Sequence, residues 1–210
     1  MTKFGSTWMI FELCCGKGKF MALLSSMLLL AMFLVSCGKS DPRLDRLFSL
    51  RIQASDLPTG WQREKGGIGD RDSKDEGVIS RWVQFRGAPE KEILGVLVSQ
   101  ELTDYPDIDQ ATSAYAEIVK EIFPVEDWTW PEQVVLVSQA DQFRLACFEQ
   151  YVSNYDDQRL KGSYYCRAIG QYGTTISVIY ANVFQDQWLT FEDLQHLLEA
   201  ADARLATGTH

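Results

Sequence analysis

The chain has 210 residues, 46% of them hydrophobic and 12% aromatic, and carries a formal charge of −9 from 20 Lys plus Arg against 29 Asp plus Glu. That composition lies in the globular range and excludes a disordered tail. An acidic body of this size repels phosphate backbones and anionic headgroups, which disfavours nucleic acid as a partner.

The first segment is an address. Lys3, Lys17 and Lys19 precede an uncharged apolar run from Phe20 to Ser36, the charged start and apolar core of an export signal. The run closes on Leu34-Val35-Ser36-Cys37 and is followed by the polar Gly38-Lys39-Ser40. This pattern resembles the lipobox of bacterial lipoproteins, with Leu three places before an obligatory Cys and small residues between. The resemblance implies that residues 1–36 are a signal peptide, cut before Cys37, and that the Cys37 sulfur carries a diacyl lipid. Two or three acyl chains, at about 0.8 kcal/mol per buried methylene, hold a protein on a bilayer where one chain does not. The membrane is then a partner through lipid, and the body lies on the cell membrane or outer membrane, outside the cytoplasm. An uncleaved signal anchor and an ordinary signal peptide are the alternatives, and both also place later residues outside the cytoplasmic membrane. The long start, with Glu12, Cys14 and Cys15, departs from a compact signal; translation from Met9 or later would shorten it. Cleavage at Cys37 leaves 17 basic and 28 acidic residues, a net of −11 over 174 residues.

Residues 37–46 form a polar tether containing Pro42, and the single domain spans 47–210. Leu47, Phe48, Leu50 and Ile52 make a first strand or helical turn, and Asp56-Leu57-Pro58-Thr59-Gly60-Trp61 a turn. The glycine-rich, charged stretch 64–77 has the composition of a solvated loop. Strand signals follow at 78–86, 93–102, 134–138, 143–152, 163–170 and 174–183. Ile108, Ala111, Tyr115, Ile118 and Ile122 recur at helical spacing after Asp107, and Pro124 stops that helix. Thr190-Phe191-Glu192-Asp193 is a capping box for a C-terminal helix with Leu194, Leu197, Leu198, Ala201 and Leu205 on one stripe. The expected fold is α+β, an antiparallel β-sheet packed by two amphipathic helices, one of them C-terminal. This order, with a Pro-Gly-Trp turn near the front, is similar to PsbP-like domains and to the extracellular sensor domains of some bacterial serine/threonine kinases. The resemblance spans Leu50 to Leu205 and implies no catalytic residue.

Cys147 and Cys166 are the two thiols left after Cys37. A hairpin centred between Asp156 and Asp157 pairs positions summing to 313, which sets the two cysteines directly opposite. Opposed strand residues are close enough for a disulfide, and an oxidising exterior permits one. The alternative is two buried, reduced side chains. Neither a third thiol nor a nearby His supports zinc, which asks for four ligands.

No catalytic constellation appears. His196 and His210 are the only histidines, and the nucleophile-elbow, phosphate-loop and zinc-protease motifs are all missing. Asp70, Asp72, Asp75 and Glu76 do not keep calcium-loop spacing, and Asp104, Asp107 and Asp109 suit a helix N-terminus. No metal and no cofactor is implied. Leu57-Pro58-Thr59-Gly60 lacks the extra residue and C-terminal apolar tail of a sortase signal. Aromatics remain: Trp61, Trp128, Trp130 and Tyr105 are candidates for the rim of a ligand cleft, with burial in the core as the competing role. The expected function is a non-catalytic, lipid-anchored envelope domain that binds a small ligand or envelope protein. An envelope hydrolase using Asp/Glu chemistry and a structural assembly factor are the alternatives.

Overall fold

A computed structural model describes residues 41–64, 70–75, 77–87, 97–124, 127–153, 159–184 and 188–208. The signal peptide, the lipobox and the hairpin turn at 154–158 lie outside the described residues. Among the described residues no helix is long and apolar enough to cross a membrane.

Helix α1 spans Pro42–Leu50. Asp41 caps it, accepting from the Arg43 N–H at 3.0 Å, and Pro42 stands in the first turn, where its missing N–H costs nothing. Five residues of the expected tether, 42–46, are therefore helical. They dock because Arg43 Nε donates to the buried Asp104 carboxylate at 2.5 Å and Arg46 pairs with its other oxygen. A short 3₁₀ turn, Ala54–Asp56, follows.

The strands are β1 (Gln62–Arg63), β2 (Asp70–Asp75), β3 (Val78–Arg86), β4 (Leu97–Asp104), β5 (Gln142–Ser153), β6 (Arg159–Tyr172) and β7 (Thr175–Phe184). They form one antiparallel sheet in the order β1-β3-β4-β7-β6-β5, with β2 also paired to β3. The stretch read as a solvated loop thus contains β2, a strand paired to β3 at the edge of the sheet. Gly173, at φ +58°, makes the tight β6–β7 turn.

Helix α2 (Ile108–Ile122) starts at Asp107, which accepts from the Gln110 N–H at 2.8 Å, and ends two residues before Pro124, with Phe123 as its C-cap. Helix α3 (Phe191–Gly208) starts with reciprocal bonds, Thr190 N–H to Asp193 at 2.8 Å and Asp193 N–H to Thr190 at 3.2 Å. The expected α+β architecture holds, with α1 as a third helix.

Alternation along the strands gives each sheet face its own core. On one face Phe85, Val98, Cys147, Cys166, Ile179 and Ala181 pack beneath Leu194, Leu197, Leu198 and Ala201 of α3. On the other, Ala146, Ile169, Ile176 and Val178 pack beneath Tyr115 and Ile122 of α2, with Phe123 and Trp128. A third cluster joins α1 to the end of α3 through Leu47, Leu50, Ile79, Leu102, Tyr172 and Leu205.

The expected strand at 134–138 is irregular. It is held by α3 side chains instead of a strand partner: Val135 N–H donates to Gln195 Oε1 at 3.0 Å, Ser138 Oγ donates to Asp202 Oδ1 at 2.5 Å, and just beyond the segment the Gln139 N–H donates to Asp202 Oδ2 at 3.0 Å. Val134 is buried, while Val135 and Val137 point into solvent.

Candidate functional site

At the C-terminal end of α1 the chain leaves the helix in an extended conformation at Arg51 and turns onto the sheet. Ile52 is drawn into the core, its N–H donating to Gln100 Oε1 at 2.6 Å, while Gln100 Nε2 donates to Ser177 Oγ at 3.0 Å. Buried Gln100 thus satisfies a backbone donor that the crossing would otherwise orphan. Between this crossing, β1 and β3 lies an open cavity of about 510 Å³, lined by Phe48, Ser49, Arg51, Gln53, Arg63 and Phe85, with Ile52 and Ala54 completing the wall.

Phe48 is 48% exposed although large and apolar, and cations flank it. The Arg51 guanidinium carbon lies 3.5 Å from the ring centroid and that of Arg81 lies 5.0 Å away, within cation–π range. Arg51 is buried, and its carbonyl accepts from Arg204 Nη1 at 2.9 Å. Arg204 also holds both Asp56 oxygens at 3.0 Å. Glu64, beside Arg63, is engaged by Arg86 at 2.5 Å and Gln84 at 2.7 Å. This end of the domain therefore combines aromatic surface, several guanidinium groups and a hollow of ligand size.

The expected aromatic rim is dispersed. Trp61 is buried on the α3 face; its Nε1 donates to the Trp188 carbonyl at 3.3 Å, and Gly87 passes so close that a Cβ there would come within 2.6 Å of the indole. Trp128 is buried on the α2 face, edge-on to Phe123 at 5.3 Å and Phe148 at 4.7 Å between centroids. Tyr105 is half-buried against that same cluster, and burial, followed by the charges of Glu101 and Glu117, holds its hydroxyl pKa above the usual value. Trp130 is exposed and donates to the Val134 carbonyl at 2.9 Å. Trp128 and Tyr105 thus share a cluster, and Trp61 lies on the opposite face of the sheet. Large indoles bury the most apolar area when they pack inside, and two of these do so.

Cys147 and Cys166 are directly opposed and joined in a disulfide, with Cα atoms 4.1 Å apart. The Cys147 N–H donates to the Thr129 carbonyl at 2.8 Å and the Cys147 carbonyl accepts from the Thr129 N–H at 3.0 Å, so the cysteines form the closer, non-hydrogen-bonded kind of antiparallel pair. Pairs summing to 313 run from Gln142↔Gln171 to Gln150↔Ser163, after which an irregularity shifts the register by one.

The buried carboxylates are occupied by structural bonds. Asp104 accepts from Arg43, Arg46, Thr174 and Thr175. Asp202 accepts from Ser138 Oγ at 2.5 Å, Tyr172 OH at 2.7 Å and the Gln139 N–H. Burial first, and then Asp202, push the Tyr172 hydroxyl pKa up. His196 is exposed on α3, near Glu192 and Glu199. Among the described residues no three His, Cys, Asp or Glu side chains converge on a metal position.

Arg51, Arg63 and Arg81 were not singled out from the sequence, because they come from a helix end and two strands and share no local spacing. The available signal was compositional: positions 51–81 hold six of the 17 basic residues after the signal against six acidic ones, a neutral stretch in an otherwise acidic chain.

No family model matches the chain, and no curated protein does. Among solved structures, it is similar to the crystal structure of the extracellular domain of PknH from Mycobacterium tuberculosis, with a TM-score of 0.48 and 12% identity over 79% of this chain and 95% of that one. That is the kind of domain whose element order the sequence resembles, and at this identity the likeness transfers no residue role.

Proposed function

We propose that the chain is a lipid-anchored domain on the outer side of the bacterial cytoplasmic membrane, or on the outer membrane, that binds a ligand without transforming it. The observation that carries this reading is the cavity of about 510 Å³ at the end of α1, inside the 300–1,000 Å³ range typical of small-molecule sites. The elements around it are fixed from behind, α1 by Asp104 and the 51–56 crossing by Gln100 and Arg204. The buried disulfide supports an oxidising compartment, and the Leu34-Val35-Ser36-Cys37 pattern supports the anchor. The saturated bonding of Asp104 and Asp202 leaves neither as a ready acid or base, which favours binding over hydrolysis.

Two measurements test it. Cys37→Ser should move the protein from the membrane to the soluble exterior fraction; unchanged membrane retention refutes the lipid anchor. Thermal unfolding of the purified full chain against sugars, lipids, cell-wall fragments and organic phosphates should show a rise in Tm with at least one class. No rise with any of them refutes the ligand-binding role.

A further inference from the structure

We propose that the end of the sheet where α1 begins is a membrane-facing surface, resting on the headgroups of the bilayer that carries the lipid, with Ile108 as its apolar contact. This rests on the anchor at Cys37 and adds to it which face of the domain the membrane covers.

The docking of α1 shortens the tether. A free linker from Cys37 to Leu47 would reach about 36 Å, and would let any face of the domain touch the bilayer. Helix α3, eighteen residues long, spans only about 27 Å. With Asp41 capping α1, however, four residues carry the chain from Cys37 to the folded body, a reach of about 14 Å. The lipid therefore holds the domain on a leash shorter than the domain itself, and the point of attachment decides the orientation.

That point lies at one end of the sheet. Arg43 Nη1 donates to the Gly77 carbonyl at 2.7 Å and Nη2 to the Asp104 carbonyl at 2.7 Å, beside the bond from Nε to the Asp104 carboxylate. Gly77 directly precedes β3 and Asp104 closes β4. The Tyr105 N–H donates to the Thr174 carbonyl of the β6–β7 turn at 2.9 Å, and a Cβ on Gly77 would lie 3.4 Å from the Pro106 ring. The first turn of α1 and the ends of four strands thus meet in one bonded surface. Helix α2 starts two residues beyond Pro106, at Ile108.

The core-facing stripe of α2 buries Ala111, Tyr115 and Ile122, while Ile108 is 57% exposed. One exposed isoleucine is ordinary on a protein surface. Here it stands at the end the tether presents to the bilayer. Asp107, Asp109 and Asp141 stand at the same end and keep their water, so the contact stays within the headgroup layer. The far end is marked by Glu192 in the first turn of α3, whose side chain is 86% exposed. Helix α3 starts there beside the end of β7, where the Phe184 N–H donates to the Leu189 carbonyl at 2.7 Å.

The test uses the processed protein reconstituted in phosphatidylcholine vesicles, with a fluorophore on Ile108→Cys or Glu192→Cys and a nitroxide on a fraction of the lipid headgroups. Cys147 and Cys166 are joined and Cys37 is acylated, so the introduced cysteine is the thiol that reacts. The label at position 108 should lose most of its emission, and the label at 192 should keep it. A Gly/Ser insert of about twelve residues between Ser40 and Asp41, with an r.m.s. span of about 19 Å, should bring the two labels toward equal quenching. Equal quenching without the insert, or stronger quenching at 192, overturns the membrane-facing surface. Quenching at 108 that the insert leaves unchanged overturns the short tether as its cause. Mass spectrometry of the N-terminal peptide separates this proposal from the anchor. An unacylated Cys37 removes both, whereas acylated protein with equal quenching removes the surface alone.

Discussion

The Cys147–Cys166 bond ties β5, the last strand of the sheet, to its neighbour β6, and its worth can be worked from the structure. The cysteines are 19 positions apart. Closing a ring of about 20 residues removes unfolded-chain entropy equivalent to about 3 kcal/mol at 25 °C on the loop-closure model. For a domain of this size each kcal/mol moves Tm by about 2 to 4 °C, so reduction should lower Tm by about 6 to 12 °C. The comparison is between oxidised protein and protein reduced in urea and refolded under dithiothreitol, both melted by circular dichroism. It keeps both sulfur atoms in the core, whereas alanine substitutions would add cavity costs. Relative exposures of 3% and 1% for Cys147 and Cys166 add a kinetic expectation. Dithiothreitol without denaturant should leave the bond intact for as long as the hairpin stays closed. Melting curves that coincide within about 2 °C would show that the hairpin is held by its ladder and by core packing alone. Rapid reduction of the native protein would contradict the burial.

Asp104→Ala should cost about 2 to 3 kcal/mol in urea unfolding, less than a fully buried pair, because Arg43 and Arg46 are 35% and 34% exposed and can rehydrate; faster proteolysis within 41–50 should accompany it, and no change in either would remove Asp104 as the clamp on α1. Tyr172 has its pKa raised by burial and by Asp202, so the folded state keeps this proton to higher pH than the unfolded chain. Its contribution is complete below about pH 10 and is lost as pH rises above that value, at up to about 1.4 kcal/mol per pH unit. Urea titrations from pH 9 to 11 should show this slope and a shallower one for Tyr172→Phe; identical slopes would show that Tyr172 does not carry the effect. Gly87→Ala should cost about 1 to 3 kcal/mol and shift tryptophan emission, since its Cβ would meet the Trp61 indole at 2.6 Å; an unperturbed spectrum with full stability would contradict that contact.

Where chemistry is local, the sequence was legible. The α2 stripe between Asp107 and Pro124, the Thr190–Asp193 box and the 313 rule of the β5–β6 hairpin all depend on residues close in sequence, and each appears where its spacing places it. Three elements were obscured. Helix α1 is only nine residues long and polar at its start; its docking depends on Asp104, some sixty positions away. Strand β2 is almost wholly charged, because an edge strand needs no apolar alternation and its pairing is carried by backbone. The 134–138 segment has strand-forming valines, yet its partners are Gln195 and Asp202 on a helix, a long-range choice that β-propensity cannot anticipate. The aromatic rim is dispersed for a related reason: Trp61, Tyr105, Trp128 and Trp130 all lie outside the strands, and long-range packing rather than local spacing decides which face each one joins.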